Sequence, residues 1–217
     1  MTHPQTLRID FVSDVSCPWC AVGLASLERA LDALKDEVRA EIHFQPFELN
    51  PQMAAEGEDV GGHIARKYGM TREQLAQNQE NIRQRGAAVG FTFANQDTRR
   101  IYNTFDAHRL LHWAEDSGRQ HALKRALLTA YFTDGEDVSD HEVLAQVAAS
   151  VELDGDEARS VLASDRYATE VRAQEQFFQR AGIHSVPAII INRQHLISGG
   201  QPPEVFEQAL RQIAGGN

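Results

Sequence analysis

The only two cysteines of this 217-residue chain lie three positions apart in Asp14-Val15-Ser16-Cys17-Pro18-Trp19-Cys20. Residues at that spacing share one face of a helix, so the two sulfurs can close into a disulfide or exchange it with other thiols. Ahead of them Leu7, Ile9 and Phe11 alternate with polar residues and Val12 follows, the pattern of a strand entering a buried sheet. Behind them Leu24, Leu27, Leu31 and Leu34 recur at three- and four-residue intervals, which predicts an amphipathic helix from about Pro18 to Lys35. Pro18 fits its first turn, where the missing N–H costs nothing. Cys17 then falls at the strand-to-helix junction, near unpaired backbone N–H groups and the positive end of the helix dipole, which favour a thiolate. This makes Cys17 the nucleophile and Cys20, one turn further in, the more sheltered resolving thiol. Pro18 and Trp19 tune the poise between them and flank the substrate, with the Trp19 edge offered as a contact. Such exchange needs no cofactor, and glutathione can enter as redox partner or co-substrate.

Other uses of a close thiol pair are less consistent with the sequence. A closed structural zinc site takes four ligands, and the chain has neither a second cysteine pair nor a nearby histidine pair at finger spacing. A stabilising crosslink gains little from so short a loop. Two inert buried thiols leave the Pro-Trp pair and the helix-start placement unexplained.

Composition sets the context. With 42% hydrophobic and 24% charged residues the chain is ordinary globular material. Its 21 Lys+Arg against 31 Asp+Glu give a net charge of −10, and the basic residues are dispersed, which disfavours nucleic acid. The first residues, MTHPQTLRIDFVSD, lack a basic head with an apolar signal core, and no segment approaches the roughly 18 apolar residues of a membrane span. The expected compartment is the cytoplasm, where a close thiol pair is more often catalytic, redox-sensing or metal-binding than structural.

A second alternating run, Ile42, Phe44 and Phe47, ends at Asn50-Pro51 and completes strand, helix, strand. From about Val60 to Ser164 strand signals are nearly absent, and Thr71 with Gln74 and Ser139 with Glu142 form candidate capping boxes. Tyr167, Val171, Gln174 and Phe178 lie along one side of a further helix that Gly182 is placed to end. Ile189 to Ile191 and His195 to Ser198 flank Asn192-Arg193-Gln194 as a hairpin, and Pro202 opens a last helix with Val205, Phe206, Ala209, Leu210 and Ile213 inward.

This order resembles the DsbA family of the thioredoxin superfamily over essentially the whole chain. The segments DFVSDVSCPWCAVG, FQPFELNP, NTFDAHRLLHWA and GIHSVPAIIIN resemble its FrnE-like branch, next to 2-hydroxychromene-2-carboxylate isomerases and kappa-class glutathione transferases. The resemblance implies an α/β thioredoxin fold with a large inserted α-helical domain. Residues 1–55 and 166–217 are the two parts of the thioredoxin-like domain and 56–165 the insertion. It implies that Cys17 and Cys20 are the redox pair, that Pro187 is the cis-proline facing them, and that Val186 offers free backbone groups to an extended peptide or glutathione. It also places Asn103, Thr104 and His108 along a substrate groove, with simple packing of that helix as the alternative. The sequence departs from many thioredoxin-type proteins in one respect: the nearest acids to the buried position before the motif are Asp10 and Asp14, neither at the expected place. The proton partner of Cys20 is therefore unassigned, and Asp14 reads first as a turn or capping acid.

His108 and His112 stand four apart on one helix face, a metal-compatible spacing, but no Glu of an H-E-x-x-H motif and no third ligand accompany them, so no metal is expected. His184, just before Val186-Pro187, reads mainly as a solvated loop residue and otherwise as a substrate contact. The function implied is a cytoplasmic thiol–disulfide oxidoreductase acting on protein or low-molecular-weight thiols, as a monomer or homodimer. Its rivals are a glutathione-dependent isomerase or transferase and a peptide-binding holdase.

Overall fold

The computed structural model describes residues 5–94 and 100–216. Strand β1 (Gln5–Ser13) leads through the cysteine loop into α1 (Pro18–Ala33) and β2 (Val38–Pro46). The next elements are β3 (Glu58–Asp59), α2 (Val60–Tyr68), α3 (Arg72–Ala88) and β4 (Arg100–Ile101). They are followed by α4 (Phe105–Trp113) and by α5 (Gln120–Thr129), which runs into a π-helical turn (Ala130–Asp134). Helices α6 (His141–Ser150), α7 (Gly155–Leu162) and α8 (Ala168–Arg180) lead to the hairpin β5 (Ala188–Ile191) and β6 (His195–Ser198), then α9 (Pro203–Ala214).

The main sheet has the order β2-β1-β5-β6, with β1 parallel to β2 and antiparallel to β5. Because side chains alternate along a strand, β1 serves two cores at once. Leu7, Ile9 and Phe11 pack into the large core with Leu24 and Leu27 of α1, Leu123 and Leu127 of α5, and Phe206 and Leu210 of α9. Val12 points the other way, to Phe178 and Ile183 at the end of α8. The chain thus has a thioredoxin-type sheet whose two halves are separated in sequence by helical elements.

Several local expectations are met and three are corrected. Thr71 and Gln74 make both capping-box bonds at the start of α3, at 3.2 and 2.9 Å. The cap of α6 is Asp140 rather than Ser139: Asp140 accepts from Glu142 and Val143 N–H, while the Ser139 hydroxyl donates to Asp137. A carboxylate at the N-cap satisfies two donors at once, which the hydroxyl one residue earlier is not placed to do. The two-stranded β3-β4 pair interrupts the otherwise helical middle, too short to produce a sequence period. In α9, Phe206 and Leu210 are buried as expected, whereas Val205, beside them in sequence, falls on the exposed edge of the helix.

Candidate active site

Cys17 is the N-cap of α1, with extended backbone (φ −91°, ψ 114°), and Pro18 occupies the first helical position. The turn before it is closed by a 3.4 Å bond from Cys17 N–H to the Asp14 carbonyl, and Cys20 N–H returns to the Cys17 carbonyl at 3.0 Å. Both cysteines are free thiols. Cys17 is 4% exposed and Cys20 fully buried, so the two sulfurs differ in access as their positions in the helix require. Burial, reinforced by the hydrogen bond and charge of Cys17, holds the Cys20 thiol well above the ordinary thiol range; Lys124 and the Asp14 backbone N–H pull it back.

Opposite the cysteines, Val186–Pro187 is a cis peptide, and the Cys17 thiol donates to the Val186 carbonyl at 3.7 Å. That carbonyl is therefore engaged by the thiol rather than free. The approach of the loops depends on two small residues. A Cβ on Gly23 would lie 3.1 Å from the Pro187 ring, and one on Gly200 would lie 2.9 Å from the Trp19 carbonyl. Side chains at either position would wedge the proline loop or the β6-α9 loop away from α1.

Cys17, Pro18 and Trp19 open onto a cavity of about 510 Å³. Its floor is the start of α1 with Ser185 and Val186; its roof is the α2-α3 hairpin, which contributes His63, Lys67, Asn78 and Ile82. Polar pins hold the roof: Lys67 donates to the Leu49 carbonyl at 2.8 Å and Asn50 Oδ1 at 2.7 Å, and Arg85 donates to the Gly200 carbonyl at 3.0 Å. The Arg85 guanidinium also lies over the half-buried Trp19 ring, 5.8 Å from its centroid. His184 is exposed and lines the same cavity, so it is at once a loop residue and a neighbour of the substrate space.

The structure does not bring Asn103, Thr104 and His108 into that cavity. Asn103 accepts from Phe105 N–H at 2.9 Å to close the turn before α4, and Thr104 is buried at its N-cap. His108 is 2% exposed and lies under the cysteine loop, its Nε2 3.1 Å from the Phe47 carbonyl and 3.7 Å from Asp14 Oδ1. The physical reason is that α4 is packed among α5, α7 and α8, so that Ala107 to Leu111 are buried together, His108 and Arg109 included.

Asp14 is a turn acid and also fully buried. Its Oδ1 accepts from Ser16 N–H at 3.2 Å and its Oδ2 from Leu49 N–H at 2.7 Å. Burial alone would raise its carboxyl, but His108 and the Leu49 and Ser16 N–H groups outweigh it and leave the group below the usual carboxylate range. Sequence reasoning missed His63 and Lys67, whose i, i+4 spacing in Gly-His-Ile-Ala-Arg-Lys was an available signal, and Lys124, which carried none.

The model for a DsbA-like thioredoxin domain matches residues 8–211. The chain belongs to that family. The probable DsbA oxidoreductase SCO1869 of Streptomyces coelicolor is 39% identical and superposes with a TM-score of 0.90, over 97% of this chain and 91% of that one. The uncharacterised protein YwbO of Bacillus subtilis strain 168 is 28% identical over 95% of this chain and 96% of its own. The cytosolic disulfide reductase DsbM of Pseudomonas aeruginosa, solved with GSH, shares the fold at 14% identity and a TM-score of 0.63, covering 95% and 98%. Among the described residues of this DsbA-like chain, no helix is long and apolar enough to cross a membrane.

Proposed function

We propose that the chain is a thiol–disulfide oxidoreductase of the cytoplasm that exchanges disulfides with low-molecular-weight thiols or extended thiol peptides through Cys17 and Cys20. The observation that carries this reading is the placement of Cys17: a helix-start thiol beside Val186 and Pro187 at the floor of the 510 Å³ cavity, with Cys20 sealed behind it. A cavity of that size suits a small thiol compound or a peptide strand better than the surface of a folded protein. Its lining mixes apolar surface with Asn50, His63, Lys67 and Asn78, groups able to bind the amides and carboxylates of a tripeptide such as glutathione. The GSH-bound DsbM, of the same fold and cytosolic, supports both the ligand class and the compartment.

In this reading the Cys17 sulfur attacks a substrate disulfide, releasing one thiol, and Cys20 then displaces the other, leaving the substrate reduced and the pair oxidised. Run in reverse, the same steps oxidise a dithiol. The test compares the two cysteines in glutathione redox buffers, with thiols counted by alkylation and mass. Cys17→Ser abolishes exchange, whereas Cys20→Ser accumulates a mixed disulfide with glutathione. Equal loss with no trapped species overturns the assignment. Turnover of a chromene carboxylate with glutathione by the double serine variant favours a glutathione-dependent isomerase instead.

A further inference from the structure

Lys124 lies on α5 between Leu123 and Leu127, and it is fully buried. The chain has three lysines against eighteen arginines; the other two, Lys35 and Lys67, are exposed. Lysine is almost never fully buried unless it is paired, yet the Lys124 Nζ has no hydrogen-bond partner among the described residues. The groups that act on it by charge are Cys20, Asp14 and Cys17, in that order, and His108 stands behind Asp14 at 3.7 Å. Helix α5, whose Leu123 and Leu127 share the core with Cys17 and Cys20, thus brings a buried amine within charge reach of the thiol pair.

An isolated ammonium in such a place is strongly disfavoured, and burial holds this amine below the ordinary lysine range, against the opposing pull of the three sulfur and carboxylate groups. Asp14 is a poor site for a mobile proton. Its two carboxylate oxygens are taken by Leu49 and Ser16 N–H, and it remains ionised. Of the two groups that act on Cys20 by charge, Cys17 and Lys124, the amine is the one still free to take a proton once Cys17 is held in a mixed disulfide.

We propose that Lys124 is the base that takes up the Cys20 proton when Cys20 resolves the mixed disulfide on Cys17, with Asp14 as the fixed negative charge beside the resulting ammonium. This rests on the exchange function proposed above. In the step, the amine in its unprotonated form gains the proton of the Cys20 thiol and the Cys20 sulfur attacks Cys17 Sγ. The Cys17–Cys20 bond forms as the bond from Cys17 to the substrate sulfur breaks. The substrate thiolate leaves with the electron pair and is protonated from solvent, and the ammonium later returns its proton there. Cys20 is oxidised and the substrate sulfur reduced. In the dithiol the amine stands outside hydrogen-bond distance of Cys20, and the flexible four-carbon stem of lysine supplies the adjustment.

The test mixes reduced protein with dithiobis(nitrobenzoate) in a stopped-flow instrument. One thionitrobenzoate is released by Cys17 attack and a second by Cys20 resolution, so the two steps are read separately. Lys124→Met leaves the first phase intact, slows the second by about 100-fold at neutral pH and makes it climb with pH through the alkaline range. Lys124→Arg, charged but unable to accept a proton, is slowed as well. A second phase with the wild-type rate and pH profile in Lys124→Met overturns the assignment of the lysine alone; a wild-type protein with no second phase overturns the resolving role of Cys20 and the lysine assignment with it. Should the variants fold poorly, carbon-13 lysine spectra of the wild-type protein decide. One of three side-chain signals titrates below the ordinary lysine range in the dithiol and shifts on oxidation, and three ordinary titrations overturn the proposal.

Discussion

The floor and the roof of the cavity are both helical, and they are held by different forces. Eight of the sixteen residues of α1 are buried, and Cys20, Ala21, Leu24, Leu27 and Ala30 among them pack into the same core as β1, α5 and α9. Helix α3 is one residue longer, yet only Ile82 and Gly86 are buried, and α2 buries Val60 alone. Apolar burial holds the floor, whereas a few hydrogen bonds donated by half-buried Arg85 and exposed Lys67 hold the roof. Such bonds contribute little individually, so the roof belongs to the part of the molecule that opens first. A rigid thiol under an adaptable cover accommodates disulfides of different shape without moving the reacting sulfur.

The contrast is broken or sharpened by substitution. The largest expected effect is on the floor, where Leu27→Ala should cost about 2–5 kcal/mol, while Leu75→Ala, half-buried in α3, should cost about 1 kcal/mol. Equal losses in denaturant titrations would erase the distinction between floor and roof. Next comes Gly23→Ala: its methyl presses on the Pro187 ring at 3.1 Å and the Gly200 backbone at 3.3 Å, for an overpacking cost of about 1–3 kcal/mol. Exchange with glutathione disulfide should fall further than stability does, because the displaced loop carries Val186.

Asp14→Asn probes the floor through pH. The native carboxyl titrates below its unfolded value of about 3.9, so its contribution is present above that pH and is lost as pH falls through the lower native value. The asparagine variant should be less stable at neutral pH and show a flatter decline on acidification; a parallel acid limb would show that the Leu49 and Ser16 bonds count for little. The smallest stability effect is expected at the roof. Arg85→Ala should cost about 1 kcal/mol, as a single half-buried polar pin does. It should nevertheless lower KM for bulky peptide disulfides, and faster amide exchange confined to α3 would mark the roof as loosened.

Much of this was legible in the sequence, for reasons that differ by residue. The cysteine pair, α1 and the β5-β6 hairpin announce themselves through spacing, helical period and turn chemistry, all local signals. Pro187 was legible only through resemblance, since a Val-Pro pair by itself reads as the start of a strand. The resemblance put His108 along the substrate groove, with packing of its helix as the alternative; the direction a helix faces depends on what packs behind it, and α4 turns that residue under Asp14. Lys124 was invisible for the same reason. In His-Ala-Leu-Lys-Arg-Ala-Leu-Leu it stands next to Arg125 and reads as solvated, and only the docking of α5 against β2 and the main core shows that one cation is swallowed and its neighbour is not.

The hydrogen bond from Cys17 to Val186 spans 169 positions, and β1 finds its β5 partners at a similar remove. Contacts this distant in sequence close late in folding. On a growing chain the Cys-Pro-Trp-Cys segment leaves the ribosome long before the loop that covers it, together with the lysine helix and the roof. During that interval both thiols are solvent-facing and open to whatever disulfides surround the nascent chain. The redox centre is thus assembled only when the segment from Ile183 to Ser198 has joined the sheet, and until then Cys17 and Cys20 react as ordinary exposed thiols.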